Sequence, residues 1–243
     1  MSNNVPHLYA DAGAAAAGCA DYILETLRHA VEDRGRATLA VSGGTTPKLM
    51  FEHMRRARFP WDKLEWYFVD ERSVPPESDQ SNYRLANENF LAPAGFPRQN
   101  IHRIDGEIEP KQAAQLYSET IREKFGLAPG EMPVFDVIHH GMGADGHTAS
   151  LFPHEPLIDD RGGIAGAVFV KKLKSDRITL LPGVLLAARH NLFLVAGEDK
   201  REALHEVLAG PLDVKLYPSQ IIARSGKRVE WFVGGVAGFD WPA

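Results

Sequence analysis

Apolar positions along this chain follow two rhythms. Short, nearly unbroken runs read as strands buried on both faces: "ATLAV" (37–41), "LEWYFVD" (64–70), "VFDVIHH" (134–140), "NLFLVAG" (191–197) and "RVEWFVG" (228–234). Between them, apolar residues recur at helical spacing. Ile23, Leu24, Leu27 and Val31 share one side of a helix from Asp11, its cap, to about Glu32, with Gly35 suited to end it. "KLMFEHMRRA" (48–57) reads as a helix opened by Thr46 as cap and Pro47 at the first helical position. Further helices are predicted over about 82–90, 110–125, 182–190 and 198–210, while "AVFVKKL" (167–173) and "ITLL" (178–181) read as extended.

Strands that alternate with helices predict an α/β fold: a doubly wound, mostly parallel sheet with helices on both faces, in three layers of the Rossmann type. No repeat, low-complexity tract or linker interrupts the pattern, so residues 1–243 read as one domain. Ligands of such folds sit at the carboxyl ends of the strands. Four loops leave strands there, beginning at Ser42, Asp70, Gly141 and Gly197, and could converge on one crevice.

Composition narrows the function classes. Lys and Arg number 27 against 32 Asp and Glu, a net charge of −5, so the molecule as a whole has no attraction for nucleic acid. A local basic pocket stays open. The one cysteine, Cys19, allows no intrachain disulfide and no cysteine zinc cage, which suits a reducing cytoplasm. "AAAAGCA" (14–20) resembles a lipidated leader only superficially: no Lys or Arg precedes it and Asp11 lies upstream, so it reads as helix. No apolar run approaches the ~20 residues that span a bilayer, so no membrane partner is expected.

Two glycine loops carry the candidate chemistry. In "VSGGTTP" (41–47), Gly43 and Gly44 permit a tight turn, Ser42, Thr45 and Thr46 add hydroxyls, and the following helix points its positive end at the same place. This is either a phosphate site or an ordinary strand-to-helix turn. It lacks the Gly-Lys-Ser/Thr of a nucleotide P-loop, which favours a single sugar phosphate. "HHGMGADGHTASLFP" (139–153) contains G-x-G-x-x-G, at Gly141, Gly143 and Gly146. A dinucleotide site needs a long helix directly afterwards, which Pro153 and Pro156 forbid, and Asp145 would stand beside the bound phosphates. What remains is a tight loop presenting Asp145 and His147, whose neutral imidazole is suited to take a proton near pH 7. A zinc site of His139, His140 and His147 is disfavoured, because adjacent strand residues face opposite ways. In "FVDERSV" (68–74), Asp70 could line the crevice and Arg72 contact an anion, or the stretch could be a solvated turn. Lys48, Lys171, Lys172 and Lys174 read as solvated.

Taken in order, "SGGTTP", "VDERSVPPESDQSNYRL", "GMGADGHTASLFP", "RITL" and "GEDKREAL" resemble the 6-phosphogluconolactonases of the glucosamine-6-phosphate isomerase/6-phosphogluconolactonase family. The motifs run from about Ala37 to Lys200. The resemblance implies hydrolysis of 6-phospho-D-glucono-1,5-lactone to 6-phosphogluconate in the oxidative pentose phosphate pathway, with no metal or other cofactor, by a cytoplasmic monomer or homodimer. It implies His147 as general base, with Asp70 and Asp145 orienting it or the substrate hydroxyls. The phosphate is expected on Ser42, Gly43, Gly44, Thr45 and Thr46 with Arg177 and Lys200, and Arg72 on the phosphate or the developing carboxylate. The related deaminases are the main alternative; their loop ends in Asn-Glu-Pro, with a Glu supporting the ring-opening histidine, where this chain has Leu151-Phe152-Pro153. A sugar-phosphate sensor would be expected to add a DNA-binding helical module, for which the pattern leaves no room, and a nicotinamide oxidoreductase conflicts with the short segment after Gly146. The chain departs from the family at His139-His140, where aliphatics are usual, and after Arg177. Of these, His140 could perturb nearby ionisations.

Overall fold

The computed structural model describes residues 4–242; residues 1–3 and 243, the extremes of the expected domain, lie outside the described residues. The strands in chain order are β1 (Asn4–Tyr9), β2 (Ala37–Val41), β3 (Leu64–Phe68), β4 (Asp70–Arg72), β5 (Ile101–His102), β6 (Val137–His140), β7 (Ala165–Val170), β8 (Ser175–Leu180), β9 (His190–Ala196) and β10 (Val229–Gly234). Seven of them form a wholly parallel sheet in the order β1-β10-β9-β6-β2-β3-β5. Chain order runs outward in one direction from β2, through β3 to β5, and in the other from β6, through β9 to β10, with β1 added at that edge. The sheet therefore reverses between these two neighbours, the position where open α/β sheets leave a crevice.

Helices α1 (Ala12–Arg34), α2 (Thr45–Met54), α3 (Asn82–Ala86), α4 (Pro110–Phe125), α5 (Pro182–Ala187), α6 (Arg201–Leu208) and α7 (Gln220–Ser225) pack around the sheet. The expected caps of α1 form: Asp11 accepts a hydrogen bond from the Ala14 N–H at 2.8 Å, and Gly35 takes φ 74°. The "AAAAGCA" stretch lies inside α1, where Ala15, Ala16 and Cys19 are fully buried. Among the described residues no helix is long and apolar enough to cross a membrane.

Several boundaries differ from the sequence reading. Helix α2 begins at Thr45, not after a Thr46 cap; Gly44, at φ 124°, holds the cap position. Pro47 thus sits in the third helical position, which costs nothing because its missing N–H is one of the first four that a helix leaves unpaired. The predicted helix over 82–90 is regular only to Ala86 and continues as a π turn, Asn87–Leu91. The run 64–70 splits at Val69, whose N–H donates to Val41 of the main sheet and whose carbonyl accepts from Leu180. Beyond it, β4 pairs antiparallel with β8 and β8 with β7, making a second, three-stranded sheet that the sequence did not suggest.

The second sheet is anchored by a buried carboxylate. Glu71 accepts from the backbone N–H groups of Arg72, Asn82 and Tyr83 and from the Ser81 hydroxyl, at 2.7–3.0 Å. These bonds tie β4 to the start of α3 and fix the segment that carries Asp70 and Arg72. Burial nevertheless pushes the Glu71 carboxyl above its ordinary range.

His139 and His140, expected as strand-end packing, are both fully buried in β6. His140 bonds Asn191 at 2.8 Å and stacks on Phe193, while neither ring nitrogen of His139 has a partner among the described residues. Burial lowers His139 to about 3, helped by His140, and His140 to about 4. Both are therefore neutral in the folded chain and take up protons on unfolding below the ordinary histidine value of about 6.5. Their contribution to stability is full above that value and is lost as pH falls from there toward 4 and then 3. We expect the unfolding free energy, followed by urea denaturation, to drop over this window, and His139→Leu to flatten the drop by about one proton's worth of slope. An unchanged slope in the variant would show that His139 is not buried neutral.

Candidate active site

The four strands at the centre of the sheet, β9, β6, β2 and β3, deliver their following loops to one end. There two adjoining chambers of about 250 and 310 Å³ share Asp70, Arg72, Gly143, His147, Ala149 and Lys200 in their walls. Ser42, Gly43, Gly44, Thr45 and Thr46 line the first chamber. Asp145, Lys172 and Arg177 line the second. Every residue proposed from sequence thus borders this hollow, although Arg177 does not share a chamber with the 42–46 loop.

The loop after β2 offers unpaired donors. The first N–H groups of α2 have no partner inside the helix and receive no side-chain cap. The Ser42 hydroxyl is buried in the chamber wall and unpartnered among the described residues. Gly43 is required by crowding: a Cβ there would lie 2.0 Å from the Asn82 side-chain oxygen. With the positive end of the α2 dipole, this corner favours an anion.

The loop after β6 builds a histidine–carboxylate pair. It closes on itself through Gly143 N–H to His147 carbonyl, 2.9 Å, and Thr148 hydroxyl to Gly141 carbonyl, 2.9 Å. The closure brings His147 Nδ1 to 2.5 Å from Asp145 Oδ1. A Cβ on Gly143 would stand 2.1 Å from that Nδ1, so only glycine permits the pair. Gly146 turns the chain at φ 73°. After it come turns and a short 3-10 segment, Pro156–Asp159, with no α-helix before α5, contrary to what a dinucleotide fingerprint needs. A carboxylate accepts, so Nδ1 carries the proton of the neutral ring and Nε2 keeps its lone pair. The ring lies against Phe152, 4.1 Å between centroids and 26° from parallel. Burial opposes ionisation of Asp145, but hydrogen bonds from His147 and from Lys172 Nζ, the latter at 2.8 Å, outweigh it and hold the carboxyl well below the usual range.

Asp70 is 7% exposed, and its bonds are to other groups than His147. Its Oδ2 accepts from the Ser150 hydroxyl at 2.7 Å and its Oδ1 from the Asn82 amide at 3.3 Å. Orientation of the imidazole thus falls to Asp145. Arg72 and Arg177 stand opposite each other across β4 and β8. Arg72 donates to the Gln80 carbonyl at 2.7 Å and leaves its Nε buried and unpartnered. Burial, and next the charge of Arg72, lower the Arg177 pKa. Lys200 Nζ lies 2.8 Å from Asp199 and borders both chambers.

The sequence reading missed Asn82, Ser150, Phe152 as a stacking partner, and Lys172, which it took as solvated. Asn82 lay inside a quoted motif, but its two roles, on Asp70 and against Gly43, need the fold to be seen. Nothing local distinguishes Lys172 from Lys171 or Lys174. Among the described residues no group of three His, Cys, Asp or Glu side chains is placed to hold a metal ion, and His139 and His140 are buried in β6 away from the chamber walls.

Comparison with known proteins follows the same lines. Residues 10–231 match the family described as glucosamine-6-phosphate isomerases/6-phosphogluconolactonase. A 6-phosphogluconolactonase of a Nostoc species is 37% identical over 221 residues, covering 90% of this chain and 91% of the relative. Another, from Synechocystis, is 37% identical over 212 residues, covering 86% of each. The crystal structure of 6-phosphogluconolactonase from Thermotoga maritima is 30% identical, with a TM-score of 0.79 over 95% of this chain and 99% of that one. With agreement of this extent, over the segments that build both chambers, the chain belongs to the glucosamine-6-phosphate isomerase/6-phosphogluconolactonase family.

Proposed function

We propose that the protein hydrolyses 6-phospho-D-glucono-1,5-lactone to 6-phosphogluconate, as a cytoplasmic enzyme of the oxidative pentose phosphate pathway, without a metal or cofactor. One observation carries the reading: His147, held by Asp145 at 2.5 Å, borders two joined chambers whose walls include an open helix N-terminus and the cations Arg72, Arg177 and Lys200. One apolar cluster draws its members from Ala15 to Phe239, which supports treating the described residues as one catalytic domain.

The phosphate is held around Lys200, between the amides and hydroxyls of the 42–46 loop on one side and Arg72 and Arg177 on the other. Asp70, fixed by Ser150 and Asn82, takes a substrate hydroxyl. His147 Nε2 removes a proton from water as the water oxygen attacks the lactone carbonyl carbon. The carbonyl oxygen gains negative charge, which the neighbouring cations stabilise. The tetrahedral centre then collapses, the bond from C1 to the ring oxygen breaks, and the imidazolium returns its proton to that oxygen. The new carboxyl group loses its proton to solvent. Asp145 stabilises the transient imidazolium and keeps Nε2 turned to the chamber. Phe152 supplies a flat apolar face to the ring where a deaminase relay requires a carboxylate, which favours hydrolysis over ring opening.

His147→Ala is expected to lower kcat/KM by about 10²–10⁴-fold with the fold intact, as general acid–base catalysis of this kind contributes. The check is a coupled assay on freshly made lactone, corrected for spontaneous hydrolysis; near-normal turnover removes the mechanism. Lys200→Ala and Arg177→Ala should each weaken use of the phosphorylated lactone by at least about tenfold more than use of gluconolactone, because only the former loses a charged hydrogen bond. Equal losses on the two substrates would place the phosphate elsewhere.

A further inference from the structure

Lys172 stands outside the chemistry described so far, yet it touches it. It lies in the tight turn 171–174 that joins β7 to β8, where Lys174 takes φ 48°. Its side chain is 70% exposed, and its Nζ reaches 27 residues back along the chain to Asp145 Oδ2. The two oxygens of Asp145 are thus divided. Oδ1 serves His147, through its Nδ1 and, at 3.3 Å, its backbone N–H, and Oδ2 serves Lys172.

We propose that Lys172 is a positioning residue, in which the hairpin tip pins the free oxygen of Asp145 so that the other stays in line with His147 Nδ1. The loop gives a reason for a second anchor. Asp145 sits between Gly143 and Gly146, residues that leave the backbone permissive, and among the described residues no other donor meets its Oδ2. A carboxylate held at one oxygen only can turn about its last side-chain bond, and the imidazole it orients turns with it. Held at both, it fixes the ring plane, and Nε2 keeps its aim at the chamber. The other charged groups facing the second chamber, Asp70, Arg72, Arg177 and Lys200, make their recorded bonds to different partners, so none replaces Lys172 at this oxygen. The inference rests on His147 being the base. It adds that an exposed residue, distant in sequence, sets the base's geometry.

The test is a double-mutant cycle with Lys172→Met, Lys172→Arg and Asp145→Asn, assayed on phosphorylated and unphosphorylated lactone. Lys172→Met should lower kcat about tenfold on both substrates with KM changed less than about twofold, the signature of misplaced catalytic geometry rather than lost binding. Lys172→Arg, which keeps a donor for Oδ2, should recover most of the loss. In the Asp145→Asn background, Lys172→Met should cost almost nothing more, because its only route to the base is already cut. The Nδ1–H proton resonance of His147 should be sharp in the parent and broadened in Lys172→Met. Three results overturn the proposal: a rise in KM confined to the phosphorylated substrate, which makes Lys172 a phosphate contact; additive losses in the cycle; or unchanged kcat. Failure of the underlying reading is distinct, since it appears as retained turnover in His147→Ala.

Discussion

Parallel strands cannot be joined by tight turns, so each connection must cross a face of the sheet and return. In this chain the crossovers from β2 proceed toward β3 and β5, and those from β6 toward β9 and β10. At the β2–β6 boundary the departing loops separate, and the space between them stays open at the carboxyl end. The 42–46 loop and the 141–147 loop leave from the two sides of that boundary. The anion corner and the imidazole are therefore neighbours in space although about a hundred residues separate them in sequence. The second sheet completes the enclosure. Val69 bonds to both sheets, and Glu71 fixes the turn beyond it, so Asp70 and the two arginines form the far wall.

Charge in the site is only partly paired: Lys200 meets Asp199 and Lys172 meets Asp145, while Arg72 and Arg177 have no carboxylate among their hydrogen-bond partners. The molecule is acidic overall, but four cations, Arg72, Lys172, Arg177 and Lys200, line the chambers. The carboxylates beside them are occupied by donors: Glu71 by three amides and a hydroxyl, Asp70 by Ser150 and Asn82, Asp145 by His147 and Lys172. Arg72 and Arg177 are left as adjacent like charges, and burial lowers the pKa of Arg177 further. In the proposed reading, an incoming phosphate would relieve that repulsion and so favour phosphorylated sugars.

Much of this was legible in the sequence because hydrophobic periodicity reports burial. The runs that became β2, β9 and β10 are buried on both faces and read as strands, and α1 and α4 announce themselves by spacing and end signals. What escaped is what periodicity cannot see. Strand β1 is an edge strand with Pro6 and an exposed Leu8, and β5 has two residues, too few to make a pattern. Strand β4 reads Asp-Glu-Arg, and two of its three side chains are buried by hydrogen bonding rather than by apolarity. The glycine loops, the histidine–carboxylate pair and most of the cations were legible because their chemistry is local. The lysine on Asp145 and the amide on Asp70 were not, since their meaning depends on contacts 27 and 12 residues away.

The central claim is that one sugar phosphate bridges the anion corner and the imidazole. A crystal structure with 6-phosphogluconate bound tests it most directly. The account predicts phosphate oxygens within hydrogen-bond reach of Lys200 and the N–H groups of the 44–46 segment, and the C1 carboxylate within about 3.5 Å of His147 Nε2. Phosphate bound away from Lys200 and that segment, or a carboxylate out of reach of the ring, would contradict it.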